Sequence, residues 1–180
     1  HLIAYQPIVE SLRTALRSLP VERVRELVEP RPPLGLLLPE LAAGADLPAR
    51  TGRFELYEAL ADLLGEVTLA TPMLLVIDDL QWADESSLLL LQFLGRQLVG
   101  SRTVLLGAYR DVEAHHRPEV GRRIAALACD ARTVALSDLA QSEVAVLIEQ
   151  VTRRPVAEQV AAAVHRATGG NPLFVDELVR

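Results

Sequence analysis

A chain of 180 residues, half of them hydrophobic, can bury one substantial core, so we expect one domain with at most a small appendage. The formal net charge of -6 argues against a surface that neutralises nucleic-acid phosphates or anionic lipids. The single cysteine cannot form an internal disulfide, and no apolar stretch approaches the ~20 residues that a membrane crossing needs. These features favour a cytoplasmic protein without direct nucleic-acid or membrane contact.

Helical periodicity predicts two amphipathic helices in the first third of the chain. The first runs from Pro7 to Pro20, and the second covers residues 57–64 and ends near Gly65. The segment between them, residues 30–50, contains five prolines. It therefore predicts a stretch over the surface with at most a short helical turn.

The middle of the chain alternates between strand and helix patterns. Met73 to Ile77 is a continuous apolar run, which is typical of a strand buried on both faces of a parallel sheet. Asp84 is placed to cap the helix that follows. Further elements are predicted in the order strand, helix, strand, helix, over residues 103–108, 118–128, 133–136 and 144–151. The alternation predicts an α/β domain built on a parallel sheet.

The C-terminal tail has a different, all-helical character. A helix is predicted from Pro155 to the glycine pair Gly169 and Gly170, and another begins at Asn171 and Pro172. We therefore expect two parts, a core over residues 1–153 and the start of a helical lid over residues 154–180.

Acidic residues follow the first predicted strand in "LLVIDDLQWAD". Ligands gather at the carboxyl ends of parallel strands, where Asp78 and Asp79 are expected. One carboxylate could hold magnesium through water while the other orients or deprotonates an attacking water. A solvated or helix-capping pair explains the two aspartates equally well.

Two further segments carry candidate binding residues. Arg110 ends the next strand in "LLGAYRD", where a guanidinium could contact a terminal phosphate, although a surface pair with Asp111 is the simpler explanation. In "GGNPLFVDEL", Gly170 permits close backbone approach and Pro172 offers a rigid apolar ring to a flat base. An ordinary helix end followed by a helix start would give the same pattern.

Together these segments resemble the STAND-type signal-transduction ATPases. These are AAA+/P-loop modules of large bacterial LuxR-type regulators, and they also accompany some adenylate cyclases and kinases. "LLVIDDLQWADESSLLLL" is similar to the family's Walker B strand and following helix, "LLGAYRD" to its sensor strand, and "GGNPLFVDEL" to its G-x-P element. The resemblance implies a three-layer P-loop NTPase-type sheet followed by a helical lid.

The resemblance also implies roles and ligands. Asp78 would be the magnesium carboxylate, Asp79 the catalytic carboxylate and Arg110 the phosphate sensor, with the Gly170, Asn171 and Pro172 segment at the adenine. ATP with Mg²⁺ would be the cofactor pair. Partners would be ATP or ADP, an output domain in the same parent chain, for example a helix-turn-helix DNA-binding domain, and further copies in a nucleotide-dependent oligomer.

The phosphate loop of that family, G-x-x-x-x-G-K-[ST], does not occur in this chain, in which all 18 basic residues are arginine. "YQPIVESLR", residues 5–13, resembles a family segment that follows the loop, so we expect the chain to begin after it. Such a fragment should be marginally stable and bind nucleotide weakly.

The intact parent protein is therefore expected to hydrolyse ATP, and these 180 residues alone are expected to be inactive. Two rival functions remain: a decayed ATPase that serves as an interaction scaffold, and an unrelated magnesium-dependent phosphohydrolase that uses Asp78 and Asp79.

Overall fold

The computed structural model describes residues 4–40 and 52–180, and its elements form two compact units that divide between Arg132 and Thr133. In the first unit the helices are α1 (Gln6–Arg17), α2 (Val21–Val28), α3 (Arg53–Ala70), α4 (Glu85–Gln97), α5 (Asp111–His115) and α6 (Pro118–Cys129), and the strands are β1 (Met73–Ile77) and β2 (Thr103–Gly107). Short 3₁₀ helices span Pro32–Leu36 and Leu80–Trp82. The second unit contains α7 (Gln141–Thr152), α8 (Glu158–Thr168) and α9 (Pro172–Val179). The helix α7, which the sequence assigned to the core part, thus lies in the second unit.

The two strands pair in parallel, with Met73 opposite Thr103 and Ile77 opposite Gly107. Both were predicted from their apolar runs, and β2 ends one residue earlier than expected. The helix after β1 begins as predicted, because Asp84 Oδ1 accepts a hydrogen bond from Ser87 N over 3.0 Å. Parallel strands among helices give the α/β class that the alternation indicated.

The prediction that β1 is buried on both faces is wrong. Leu75 and Ile77 are buried against the core, whereas Leu74 and Val76 are 60% and 50% exposed. Their neighbours on β2, Val104 and Leu106, are exposed too. The described helices cover one face of the sheet, so an apolar run by itself does not fix how many faces are covered.

Helix α3 continues beyond the end predicted at Gly65. An added Cβ at Gly65 would meet no atom within 4 Å, so the glycine faces open space and does not end the helix. A glycine inside a helix costs about 1 kcal/mol. Burial of Leu60, Leu63 and Leu64, each at most 1% exposed, outweighs that cost.

The described part of the proline-rich segment, residues 30–40, packs into the core rather than running over the surface. Leu34 and Leu38 are fully buried, and Leu34 lies in the 3₁₀ helix Pro32–Leu36. The predicted short helical turn is therefore present, but its apolar side chains join the core. The rest of the segment, from residue 41, lies outside the described residues. Helix α2 was not predicted, because eight residues give too short a periodic pattern.

The core of the second unit is formed by Val144, Ile148, Val164 and Val175. The strand predicted at residues 133–136 is absent, and Val134 and Leu136 are 69% and 93% exposed. A strand needs a hydrogen-bonded neighbour, and no other strand is found among the described residues of this unit. Helix α8 starts at Glu158, three residues after the expected Pro155.

Within residues 4–40 and 52–180, no helix combines the length and the apolar character that a bilayer crossing demands.

Candidate functional site

The carboxyl ends of β1 and β2 meet at one edge of the sheet. Beyond the strands the backbone ladder continues, because Ala108 N donates to Ile77 O and Leu80 N donates to Ala108 O, each over 2.9 Å. These bonds bring the segment after β1 beside the segment after β2. As a result Arg110 Nε lies 3.8 Å from Asp79 Oδ1, so the two candidate residues form an ion pair.

Asp79 adopts a left-handed backbone conformation, with φ 54° and ψ 42°. Aspartate tolerates this region better than most residues that carry a Cβ. The chain then turns sharply into Leu80–Trp82, whose Leu80 side chain fills the space beside Gly107. A Cβ on Gly107 would lie 2.6 Å from Leu80 Cδ1, so the Leu80 side chain would have to shift to admit one.

Asp78 is exposed at the same edge, and its Oδ1 accepts a hydrogen bond from Asp79 N over 2.8 Å. Among the described residues no group of three or more His, Cys, Asp or Glu side chains is arranged to hold a metal ion. Magnesium in phosphate-binding sites is usually held by one or two carboxylates together with waters and phosphate oxygens. The exposed carboxylate of Asp78 fits that mode of binding, and a cage made of protein ligands alone is not formed.

Gln81 is a member of this site that the sequence reasoning missed. Its side chain is fully buried, and its Nε2 donates to Asp79 Oδ1 over 2.8 Å and to Glu113 Oε2 over 3.2 Å. Its Oε1 accepts from Arg110 N over 3.0 Å. The only signal in the sequence was a polar residue between Leu80 and Trp82, in a stretch where apolar residues also fit.

The guanidinium of Arg110 contacts Glu113 in addition to Asp79. Arg110 Nη1 donates to Glu113 Oε1 over 3.0 Å, while the arginine side chain remains 69% exposed. The simpler explanation from the sequence, a surface pair between Arg110 and Asp111, is wrong, because Asp111 lies beside His115 instead. Glu113 belongs to α5, which lies between the elements predicted over residues 103–108 and 118–128, and no pattern there pointed to a role.

Trp82 is half exposed, and the guanidinium carbon of Arg117 lies 5.9 Å from the centroid of its ring. Arg117 Nη1 also donates to Gln81 O over 2.6 Å. A cation over an indole face is attractive. Trp82 and Arg117 therefore stabilise the turn from outside, while Gln81 holds it from inside.

The remaining candidates, Gly170, Asn171 and Pro172, belong to the second unit. Gly170 has φ 83°, and its carbonyl accepts a hydrogen bond from Leu139 N over 2.8 Å. Asn171 Oδ1 accepts from Leu173 N and Phe174 N, so it caps α9, which begins at Pro172. A helix end followed by a capped helix start, the simpler alternative from the sequence, describes this segment locally.

An acidic edge beside an arginine, at the carboxyl ends of parallel strands that pack against helices, is typical of α/β ATPases of the P-loop class. The family model of the AAA ATPase domain matches residues 1–106, which is more than half of the chain. The chain therefore belongs to the AAA ATPase domain family. The match includes Asp78, Asp79 and Gln81 and ends before Arg110. Searches of curated proteins and of solved structures gave no match.

Proposed function

We propose that these residues are part of a signal-transduction ATPase switch in a multidomain bacterial regulator of the STAND and LuxR type. The parent protein would bind ATP with Mg²⁺, hydrolyse it slowly and change conformation with the state of the nucleotide. The observation that carries this proposal is the pairing of Asp79 with Arg110 at adjoining strand ends, 3.8 Å apart. Membership of an ATPase family supports it.

The chemistry of phosphoryl transfer to water is mainly positioning and charge stabilisation. Asp79 would orient the attacking water and accept its proton, since its carboxylate is half exposed at the strand end. Arg110 would donate hydrogen bonds to a terminal phosphate oxygen through its exposed guanidinium. Asp78 would hold Mg²⁺, which when bound neutralises phosphate charge.

A complete nucleotide site also needs a phosphate loop and a contact for the adenine. These residues contain no lysine, so a phosphate loop of the G-x-x-x-x-G-K-[ST] type would lie outside residues 1–180. In the second unit, Pro172 would contact the adenine, with Gly170 and Asn171 shaping the backbone around that residue. The output domain that we propose for the parent chain would lie outside these 180 residues.

A nucleotide-independent scaffold is the second candidate, and the observation that favours it is that Asp79 and Arg110 already contact each other, Gln81 and Glu113. Such a scaffold would keep the fold of the module without turnover. The ion pair between Asp79 and Arg110 would then be a structural contact only.

The test is ATP binding and hydrolysis by the full-length protein that contains these residues, compared with its Asp79→Asn variant. We expect turnover to fall about 100-fold or more while ATP affinity stays within a few-fold, because loss of a general base typically costs two or more powers of ten. Asp62→Asn, an exposed aspartate on α3, is the matched control and should keep full turnover. Equal loss of binding and turnover would contradict the role of Asp79.

Absence of both binding and turnover in the wild-type protein would establish the scaffold instead. Titration calorimetry of the 180-residue chain with magnesium ATP addresses the phosphate loop separately. Tight binding by this chain alone would show that no external loop is needed.

A further inference from the structure

Gln81 is one of three polar or charged residues among the described ones that are fully or almost fully buried, together with Thr68 and Ser87. Thr68 hydrogen-bonds its own helix, and Ser87 lies in the first turn of α4 beside its cap. Gln81 differs, since all the partners of its side chain are residues of the candidate site. A buried amide is costly unless its hydrogen bonds are made, so its partners constrain one another.

The orientation of the Gln81 amide follows from its surroundings. Asp79 and Glu113 each offer a carboxylate that accepts hydrogen bonds, and Arg110 offers a backbone N–H that donates. Only the NH₂ group can face the two acids, and only the carbonyl oxygen can face the N–H. A flipped amide would lose all three bonds at once.

These contacts close a ring of four side chains. Gln81 bonds to Asp79 and to Glu113, and Arg110 contacts the same two carboxylates, at 3.8 Å and 3.0 Å. A single NH₂ group therefore spans two acids that would otherwise repel each other beside the arginine. Since Oε1 also holds the main chain of Arg110, the ring ties the end of β1 to the end of β2.

We propose that Gln81 is a positioning residue that fixes the carboxylate of Asp79 and the start of the Arg110 segment for ATP hydrolysis. This inference rests on the proposed function. By binding Asp79 Oδ1, Gln81 would fix the direction of the other oxygen, Oδ2, toward the attacking water. Small errors in such geometry reduce rates strongly, by about 100-fold for a displacement near 1 Å.

The test is steady-state ATP hydrolysis by the full-length protein and its Gln81→Met variant, which keeps the length of the side chain and removes its hydrogen bonds. We expect kcat to fall about 10- to 100-fold with KM and ATP affinity within about twofold of wild type. Gln92→Met, at a half-buried position on α4, makes the same chemical change away from the site and should leave kcat unchanged.

A double-mutant cycle separates positioning from a general loss of structure. In the Asp79→Asn background, Gln81→Met should cause no further loss of kcat, because residues that act as a unit are strongly non-additive. If Gln81→Met does not fold, Gln81→Glu replaces it. That variant keeps the acceptor for Arg110 N but adds a negative charge between Asp79 and Glu113, and the same fall in kcat at constant KM is expected.

A wild-type protein without ATP turnover overturns the proposed function and this inference with it. An active wild type whose Gln81→Met kcat matches that of Gln92→Met overturns this inference alone. If both Gln81 variants lose kcat, ATP affinity and melting temperature together, Gln81 has a structural role and this inference is overturned. The same conclusion follows if the losses of kcat from Gln81→Met and Asp79→Asn are fully additive.

Discussion

Gly170 and Leu139 touch through their main chains, so closely that no side chain fits between them. Leu139 N donates to Gly170 O over 2.8 Å, and a Cβ added to Gly170 would lie 2.3 Å from Leu139 O. The glycine also has φ +83°, a conformation that L residues rarely adopt. Two separate physical reasons therefore require glycine at this position of the second unit.

Gly170→Ala should destabilise the second unit by more than about 2 kcal/mol, because the left-handed conformation costs about 1–2 kcal/mol and the overlap with Leu139 O adds to it. Gly169→Ala is the matched control. Its φ is +64° but no atom lies within 4 Å, so only the conformational cost of about 1–2 kcal/mol applies. Hydrogen exchange of the amides in α7 and α8 measures the stability of the second unit in both variants. Equal losses of stability in Gly170→Ala and Gly169→Ala would argue against the close contact with Leu139.

Gly170 lies where one helix of the second unit ends and the next begins. The sequence pattern predicted the helix end and the helix start around Gly169 to Pro172 correctly, because capping residues act locally.

The edge of the sheet was predictable for a different reason. Parallel strands place their carboxyl ends together. Two apolar runs, one followed by Asp79 and the other by Arg110, were therefore enough to predict that these residues lie at one edge of the sheet. Gln81 and Glu113 were missed because their contacts join segments 32 residues apart, and neither residue type is unusual in a turn or a connector. The exposed face of β1 was missed because burial depends on which elements cover a sheet and not on the strand alone.

Glu66 should make part of the stability of the first unit depend on pH. Its carboxylate accepts hydrogen bonds from Arg31 over 2.8 Å and from Arg23 over 3.2 Å. The bond from Arg31 is the main reason that the pKa of Glu66 lies below its ordinary value of 4.5. A carboxyl with a lowered pKa in the folded state stabilises it fully above the ordinary value, and this contribution is lost as pH falls through the folded-state pKa.

The measurement is the free energy of unfolding of wild type and Glu66→Gln between pH 7 and pH 3. We expect the variant to be less stable at pH 7, by less than about 1 kcal/mol because the pair is partly exposed, and we expect the difference to shrink as the pH falls below 4.5. Glu58→Gln, an exposed position on the same helix, is the matched control and should change the free energy of unfolding at pH 7 by less than about 0.5 kcal/mol. A difference that grows as the pH falls would contradict the sign.

Arg110 provides the sharpest test of phosphate sensing, because ATP and ADP differ by the group that it would contact. Removal of a charge-assisted hydrogen bond typically costs 1.5–3 kcal/mol, so Arg110→Ala in the full-length protein should weaken ATP binding about 10- to 100-fold. ADP binding should change by less than about threefold, since ADP has no terminal phosphate of that kind.

Arg122→Ala removes an equally exposed arginine from α6 and should leave both affinities unchanged. Titration calorimetry with the two nucleotides measures the ratio directly. Equal weakening of ATP and ADP would mean that Arg110 supports the fold of this edge through Glu113 and does not read the terminal phosphate.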